Sequence, residues 1–287
     1  MTIAVRPALR AQDMVFTLYG DYLLRRDEPV RAAALVTLLG ALGMKPMAVR
    51  TTLSRMTRRG WLAVERRGPH SYYGLTRRAR QLLEAGRERI YHPPRAQRWD
   101  GAWTLITYSV PETRRSRRDS FRVKLLWVGC GMVTSGFWMT PHDVRRDVAT
   151  IAAELGIAKN VEVFRAEHVG GSAMHALIER CWDLRALDAR YAAFVRRWRG
   201  HLARGLTPEE SFVRRFTLVH EYRTFPLADP YLPAALLPAK WQGRAAAALF
   251  DRLHAALAAG AERWVREVCD AAGAAGRREP RALKAAG

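Results

Sequence analysis

The chain has 287 residues, with 48 Lys and Arg against 27 Asp and Glu, a formal net charge of +21 and a sequence pI near 11.0. That imbalance favours a polyanionic partner, while a hydrophobic content of 49% argues against a disordered chain and the length suits two or three domains. Cys130, Cys181 and Cys269 are odd in number and far apart, which gives no support to a disulfide framework or a zinc site.

No apolar run approaches the ~18 residues of a membrane span, and the start lacks a charged-then-apolar signal pattern, so a soluble, cytoplasmic protein is expected. Only five of the 48 basic residues are lysine, a bias to which GC-rich coding contributes. The distribution is still informative, because more than half of the excess positive charge falls within residues 1–95.

In chain order, Ala8 to Leu24 reads as a helix interrupted near Gly20-Asp21, and Val30 to Leu42 as a second, apolar-rich helix. Gly43-Met44-Lys45 is a tight break, and Pro46 opens a third helix at N1, where its missing N–H costs nothing. Val49, Leu53 and Met56 mark the buried face of this helix. Met47, Thr51, Ser54 and Arg58 lie opposite, flanked by Arg50 and Arg55. Helix, short Gly-containing turn and helix is the helix-turn-helix pattern.

Downstream, Trp61 to Arg66 and Ser71 to Leu75 are rich in β-formers around a turn at Arg67-Gly68-Pro69, which predicts a hairpin tipped by Arg66, Arg67 and His70. A helix-turn-helix followed by a basic hairpin is a winged helix. A polar, cationic helix face of this kind suits the ~12 Å major groove. Thr51, Ser54 and Arg58 are the first candidates for base contacts. Lys45, Arg50, Arg55, Arg67 and His70 are assigned mainly to phosphates, with Met47 and Arg66 completing the candidate DNA-binding set.

Thr76 is a good N-cap for a helix from Arg77 to Tyr91, with Ala79, Leu82, Leu83 and Ile90 as its packed stripe. His92-Pro93-Pro94-Arg95 then stops that helix and marks a domain boundary. Next come a strand over Trp103 to Val110, a helix from Thr113 to Trp127 with Phe121, Leu125 and Trp127 in the core, and two short strands, Met132 to Thr134 and Gly136 to Met139. A helix from Pro141 to Leu155 and a strand from Asn160 to Ala166 complete a β-α-β-β-α-β order, the ferredoxin-like pattern.

From Ser172 onward the pattern is almost all helical, with a helix start at Thr207-Pro208-Glu209-Glu210 and a final helix from Arg244 to Cys269. The expected class is therefore α+β and multidomain. Its parts are an N-terminal winged helix-turn-helix (1–92), a central ferredoxin-like domain (97–168) that serves dimerisation, a mostly helical C-terminal domain (172–272) and a disordered tail (273–287).

Several sequence blocks make the chain resemble the PaaX-type transcriptional repressors of phenylacetic acid degradation. They are Phe16 to Tyr22 (FTLYGDY), Ala48 to Met56 (AVRTTLSRM), Arg59-Gly60-Trp61-Leu62, Ser71-Tyr72-Tyr73, Trp99-Asp100-Gly101 with Trp103, and Leu218 to Pro226 (LVHEYRTFP). Asp229-Pro230 and Leu236-Leu237-Pro238 follow in the same order. The resemblance implies a homodimeric repressor of a catabolic operon, bound to double-stranded operator DNA and released by an aryl-acetyl-CoA such as phenylacetyl-CoA. An effector of that kind needs an aromatic slot and cations for its phosphates. Trp138, Tyr222, Phe225, Tyr231 and Trp241 are the candidates for the slot, and Arg214, Arg215, Arg223 and Lys240 those for the phosphates, with His220 in the same block.

The middle segment also resembles the small CRISPR-associated endonucleases, which hold a metal through an aspartate at the end of the first strand. Here that stretch reads Tyr108-Ser109-Val110-Pro111, with no carboxylate before Glu112, so metal-dependent cleavage is not expected. His220-Glu221 points its two side chains about 100° apart on a helix, which fits a structural role better than a catalytic pair. No Gly-rich phosphate loop is found, and neither a cofactor nor a catalytic or metal-binding residue is expected. The alternatives to a ligand-controlled repressor are a nucleic-acid-processing enzyme built on the ferredoxin-like domain and a ligand-independent DNA binder.

Overall fold

The computed structural model describes residues 10–26, 28–92, 99–170, 173–201 and 205–277. The protein is α+β, with many helices and two small antiparallel sheets, and it divides into two compact units. The chain crosses between them repeatedly. Residues 1–92, 200–223 and 248–287 form the first unit, and residues 93–199 and 224–247 form the second, so the segment 172–272 contributes to both.

The first unit begins with α1 (Ala11–Leu18), which runs into one widened π-helical turn over Tyr19–Leu23, at the interruption expected from Gly20-Asp21. Val30–Arg31, predicted as the start of a helix, instead forms a short strand, β1. The pairing of Val30 with Tyr73 and Arg31 with Tyr72 outweighs the helical pattern there. Then come α2 (Ala32–Ala41), a turn with Gly43 at φ +87°, and α3 (Pro46–Arg58) with Pro46 in its first turn. Strands β2 (Leu62–Arg67) and β3 (His70–Leu75) form a hairpin in register from Leu62–Leu75 to Arg67–His70, closed by Gly68-Pro69.

Helix α4 (Arg77–Tyr91) is capped as expected, with the Ala79 N–H donating to the Thr76 hydroxyl. Its expected stripe is only partly buried. Ala79 is enclosed and Leu83 packs on the core, but Leu82 lies outward at 46% exposure because no neighbouring element covers it.

The core of this unit is not confined to its N-terminal segment. Met14, Val15, Leu18, Leu35, Leu39, Leu53 and Met56 pack with Phe212 and Phe216 of α9 (Pro208–Tyr222). Ala261, Val265 and Val268 of α10 (Gly243–Arg277) join the same core. Helix α9 opens on a capping box in which Thr207 accepts from the Glu210 N–H, while the Glu210 carboxylate accepts from the Thr207 N–H at 2.8 Å. Thr207→Ala is expected to cost about 1 kcal/mol in urea denaturation; an unchanged midpoint would mean this end frays without consequence. Helix α10 continues past Gly273 into the segment expected to be disordered, since Ala-rich sequence sustains a helix. The rest of that expected tail, 278–287, and the Pro93-Pro94-Arg95 boundary lie outside the described residues.

In the second unit, β4 (Ala102–Tyr108) is followed by α5 (Arg115–Trp127), β5 (Gly131–Thr134), β6 (Phe137–Thr140), α6 (Arg145–Glu154) and β7 (Val161–Glu167). The sheet order is β5-β6-β4-β7 with every neighbouring pair antiparallel. Alternation along β4 serves two cores. Ile106 joins Trp138, Phe121, Leu125, Val148 and Ile151 in one. Trp103 and Leu105 join Met139 and residues of α7 (Met174–Cys181) and α8 (Leu184–Trp198) in the other. Trp127, expected in the core, is 41% exposed at the last residue of α5, where the buried side is taken by Phe121 and Leu125.

Candidate nucleic-acid interface

Helix α3 buries Val49, Thr52, Leu53 and Met56 and leaves Met47, Arg50, Thr51, Ser54, Arg55 and Arg58 in solvent, with Lys45 exposed just before it. Three facts of sequence produce this arrangement. The apolar residues recur at helical spacing, Pro46 fixes the entry of the chain, and Gly43 takes the left-handed turn that separates α2 from α3. Met47 is 71% exposed, too large an apolar surface to be needed by the core. The resulting outer face offers hydroxyl and guanidinium groups between Arg50 and Arg58, about two and a half turns of one helix.

The hairpin beside it is less simply cationic than its sequence. Arg66 is exposed. Arg67 donates to both oxygens of Glu65, at 2.7 and 2.9 Å, and lies over the Tyr72 ring at 4.8 Å from its centre. This hydrogen-bonded pair holds the Glu65 carboxyl below the usual carboxylate range and compensates the charge of Arg67 on the spot. His70 is half-buried, with Arg31 Nη2 2.8 Å from its Nδ1, and the other Arg31 Nη group donates to the Ala272 carbonyl at 2.5 Å. A phosphate contact by Arg67 or His70 therefore requires exchange of an existing partner. Arg31 was not singled out by sequence, because nothing local marks a partner 241 residues away.

The residues considered for an effector are divided between the two units. Arg214, Arg215, His220, Tyr222 and Arg223 belong to the first unit, whereas Trp138, Phe225, Tyr231, Lys240 and Trp241 belong to the second. Within the second unit, Trp138 is sealed in the core beneath α5 and α6. Phe225 stacks on Tyr191 at 4.3 Å and Trp241 meets the same ring edge-on at 5.6 Å.

In the first unit, Tyr222 stacks on Phe250 at 3.8 Å, and Arg214 and Arg223 are half-buried. Arg215 is buried with its guanidinium 3.5 Å from Asp21, 3.3 Å from Glu262 and 2.9 Å from His254 Nε2. Burial pushes the Asp21 carboxyl up, but the His254 hydrogen bond, the Arg215 charge and the Tyr91 hydroxyl at 2.6 Å together hold it below the usual range. His220 is also buried, with Nδ1 2.8 Å from the Thr17 hydroxyl oxygen. Because that hydroxyl donates to the Asp13 carbonyl at 3.0 Å, its oxygen accepts from the His220 Nδ1–H. Burial, helped by the Arg223 charge, lowers the His220 pKa to about 4. Arg215 and His220 thus have internal partners that account for their burial.

The chain is 33% identical over 263 residues to the transcriptional repressor PaaX of Escherichia coli (strain K12), covering 88% of this chain and 82% of that protein. It belongs to the PaaX family. Matches to the family's separate parts are distributed along the PaaX-like sequence in order. They are the PaaX-like protein family over residues 10–79, the PaaX protein central Cas2-like domain over 96–178 and the PaaX-like protein C-terminal domain over 182–267. Among solved structures, the uncharacterized protein Rv0674 from Mycobacterium tuberculosis has a similar fold, with a TM-score of 0.58 at 24% identity. The match covers 90% of this chain and all of that one. Among the described residues of this PaaX-family chain, no helix is long and apolar enough to cross a membrane.

Proposed function

We propose that this protein is a DNA-binding transcriptional repressor of phenylacetate catabolism that docks α3 in the major groove of its operator. The observation that carries the reading is the exposed row Met47, Arg50, Thr51, Ser54, Arg55 and Arg58 on a helix preceded by a Gly turn and followed by a hairpin. The elements of residues 11–91 support a winged helix-turn-helix, and the sheet order β5-β6-β4-β7 supports a ferredoxin-like centre. Kinship with a repressor favours a regulator over an enzyme.

In this reading Thr51, Ser54 and Arg58 address bases, Lys45, Arg50 and Arg55 address phosphates, and Arg66 brings the hairpin to flanking backbone. Two such heads in a homodimer would read half-sites about 34 Å apart. An aryl-acetyl-CoA would release the operator by favouring a state that no longer fits it.

The test is a mobility-shift titration on the DNA upstream of the protein's own gene, across a salt series, with and without phenylacetyl-CoA. The expected result is specific binding that the thioester relieves. Each phosphate contact contributes about 0.9 to the slope of log affinity against log salt. Arg50→Ala combined with Arg55→Ala should therefore reduce the slope by about two and weaken specific and unrelated DNA alike. An unchanged slope would move the interface off α3. Binding that ignores the thioester would leave a DNA binder with another effector or none, and absence of specific binding at low salt would overturn the reading.

A further inference from the structure

Beside α7 in the second unit lies a half-open cavity of about 470 Å³ that takes in none of the residues named above as effector candidates. Its walls are Ile178 of α7, Trp182 in the α7–α8 link, Leu184 at the start of α8, and Leu236 and Pro238 of the Leu236-Leu237-Pro238 block. Ile178, Leu184 and Leu236 are buried in the surrounding core, so the floor is apolar and held by packing on its far side. The size falls within the ~300–1,000 Å³ typical of small-molecule sites, and an apolar floor with an aromatic wall and a few polar groups is their usual chemistry.

The indole of Trp182 is fixed in place. It stacks on Trp103, with ring centres 6.4 Å apart, and crosses so close to Gly131 that a Cβ there would fall 2.5 Å from it. Gly131 is thus the residue that lets this ring lie flat against the sheet.

The rim narrows the choice of ligand. His175, Glu179, Asp183 and Arg185 surround the opening. Glu179 is bonded by Arg185 at 2.9 Å, and Asp183 accepts the Ala186 N–H that caps α8 at 3.0 Å. The rim's one arginine is already paired with Glu179, and Glu179 and Asp183 together place two carboxylates against it, so the opening disfavours a phosphate or carboxylate. An uncharged ring suits the floor, the Trp182 face and the rim together.

We infer that this cavity takes the uncharged aryl group of a small-molecule ligand, with any anionic part of that ligand left outside the rim. The choice of an aryl ligand rests on the effector reading above; the location rests on the cavity alone. Enlarging either of two exposed rim residues, His175→Trp or Glu179→Trp, fills the opening without touching the core.

Calorimetry on the full-length protein would follow phenylacetamide, a neutral aryl probe, and phenylacetyl-CoA in wild type and both variants, with operator shifts run in parallel. The expected result is a loss of at least about tenfold in affinity for both probes in the variants, at unchanged thermal midpoint and unchanged DNA binding. No binding of either probe by wild type, or equal binding in wild type and both variants, would overturn the inference. Cavity binding without any effect on the operator complex would sustain the site and refute the effector reading. Relief of the operator by phenylacetyl-CoA that survives intact in both variants would do the opposite.

Discussion

Replacing Arg215 with methionine should destabilise the protein by about 3–5 kcal/mol, the cost expected when one member of a buried ion pair is removed and the other is left behind. Asp21 and Arg215 are both almost fully enclosed, with side-chain exposures of 1% and 6%. Without the guanidinium, the Asp21 carboxylate keeps the Tyr91 hydroxyl and His254 but loses its only nearby full cation among the described arginines and lysines. The position within the fold amplifies the cost. Asp21 sits in the widened turn after α1, Tyr91 at the end of α4, Arg215 on α9, and His254 and Glu262 on α10, so one cluster ties together four helices of the unit.

The decisive comparison is with the double variant Asp21→Asn, Arg215→Met, in which neither charge remains. Replacing a buried pair outright is often nearly neutral, so the double variant should recover more than half of the loss in urea denaturation. Equal losses in the single and double variants would show that Asp21 is not the charge Arg215 compensates. Burial with internal partners gives Arg215 a structural role, whereas its sequence context suggested a phosphate contact.

Acid should act first through His220. Its pKa of about 4 in the fold lies below the ~6.5 of an exposed histidine, so the folded state binds fewer protons across that interval. The associated stability is fully present above pH ~6.5 and is lost as pH falls toward about 4, some 3 kcal/mol in all at ~1.4 kcal/mol per unit. Asp21, whose pKa is also lowered, has the same sign but acts at lower pH, losing its contribution as the pH drops below the ordinary carboxylate range. The check is a set of urea denaturations between pH 7 and 4.5 on wild type and His220→Gln. The variant can still bond Thr17 but does not titrate, so its stability should fall much less over this interval. Parallel curves would place the acid sensitivity elsewhere.

Features with a local physical cause were readable from sequence. Thr76 and Thr207 announce helix starts because a hydroxyl caps an orphan N–H, and Pro46 does so because its φ is already helical. The hairpin followed from β-formers around Gly68, and the outer face of α3 from the spacing of Val49, Leu53 and Met56.

Features decided by distant partners were not readable. Val30 and Arg31 look helical until Tyr72 and Tyr73 pair with them, and Leu82 and Trp127 carry the right period but stay largely exposed. The effector candidates Arg214 to Trp241 are close in sequence, yet the chain passes between units at Thr224, so Tyr222 belongs to one unit and Phe225 to the other. The Asp21–Arg215 pair spans 194 residues and has no local signature. Ile178, Trp182 and Leu184 carry no local mark of a pocket, because a cavity is a property of what fails to fill it.

The sharing of one core by Leu18, Leu39, Phe216 and Val265 has a consequence for how the protein is made. A ribosome adding ~5–20 residues per second has translated residues 11–91 long before α10 emerges. Until then, the part of the α1–α3 core that Phe212, Phe216, Ala261, Val265 and Val268 cover stays open. Residues 11–91 are therefore expected to keep apolar surface uncovered until α9 and α10 have been made. A chain that stops before α9 would carry all of α3 and is expected to fail to close the core behind it.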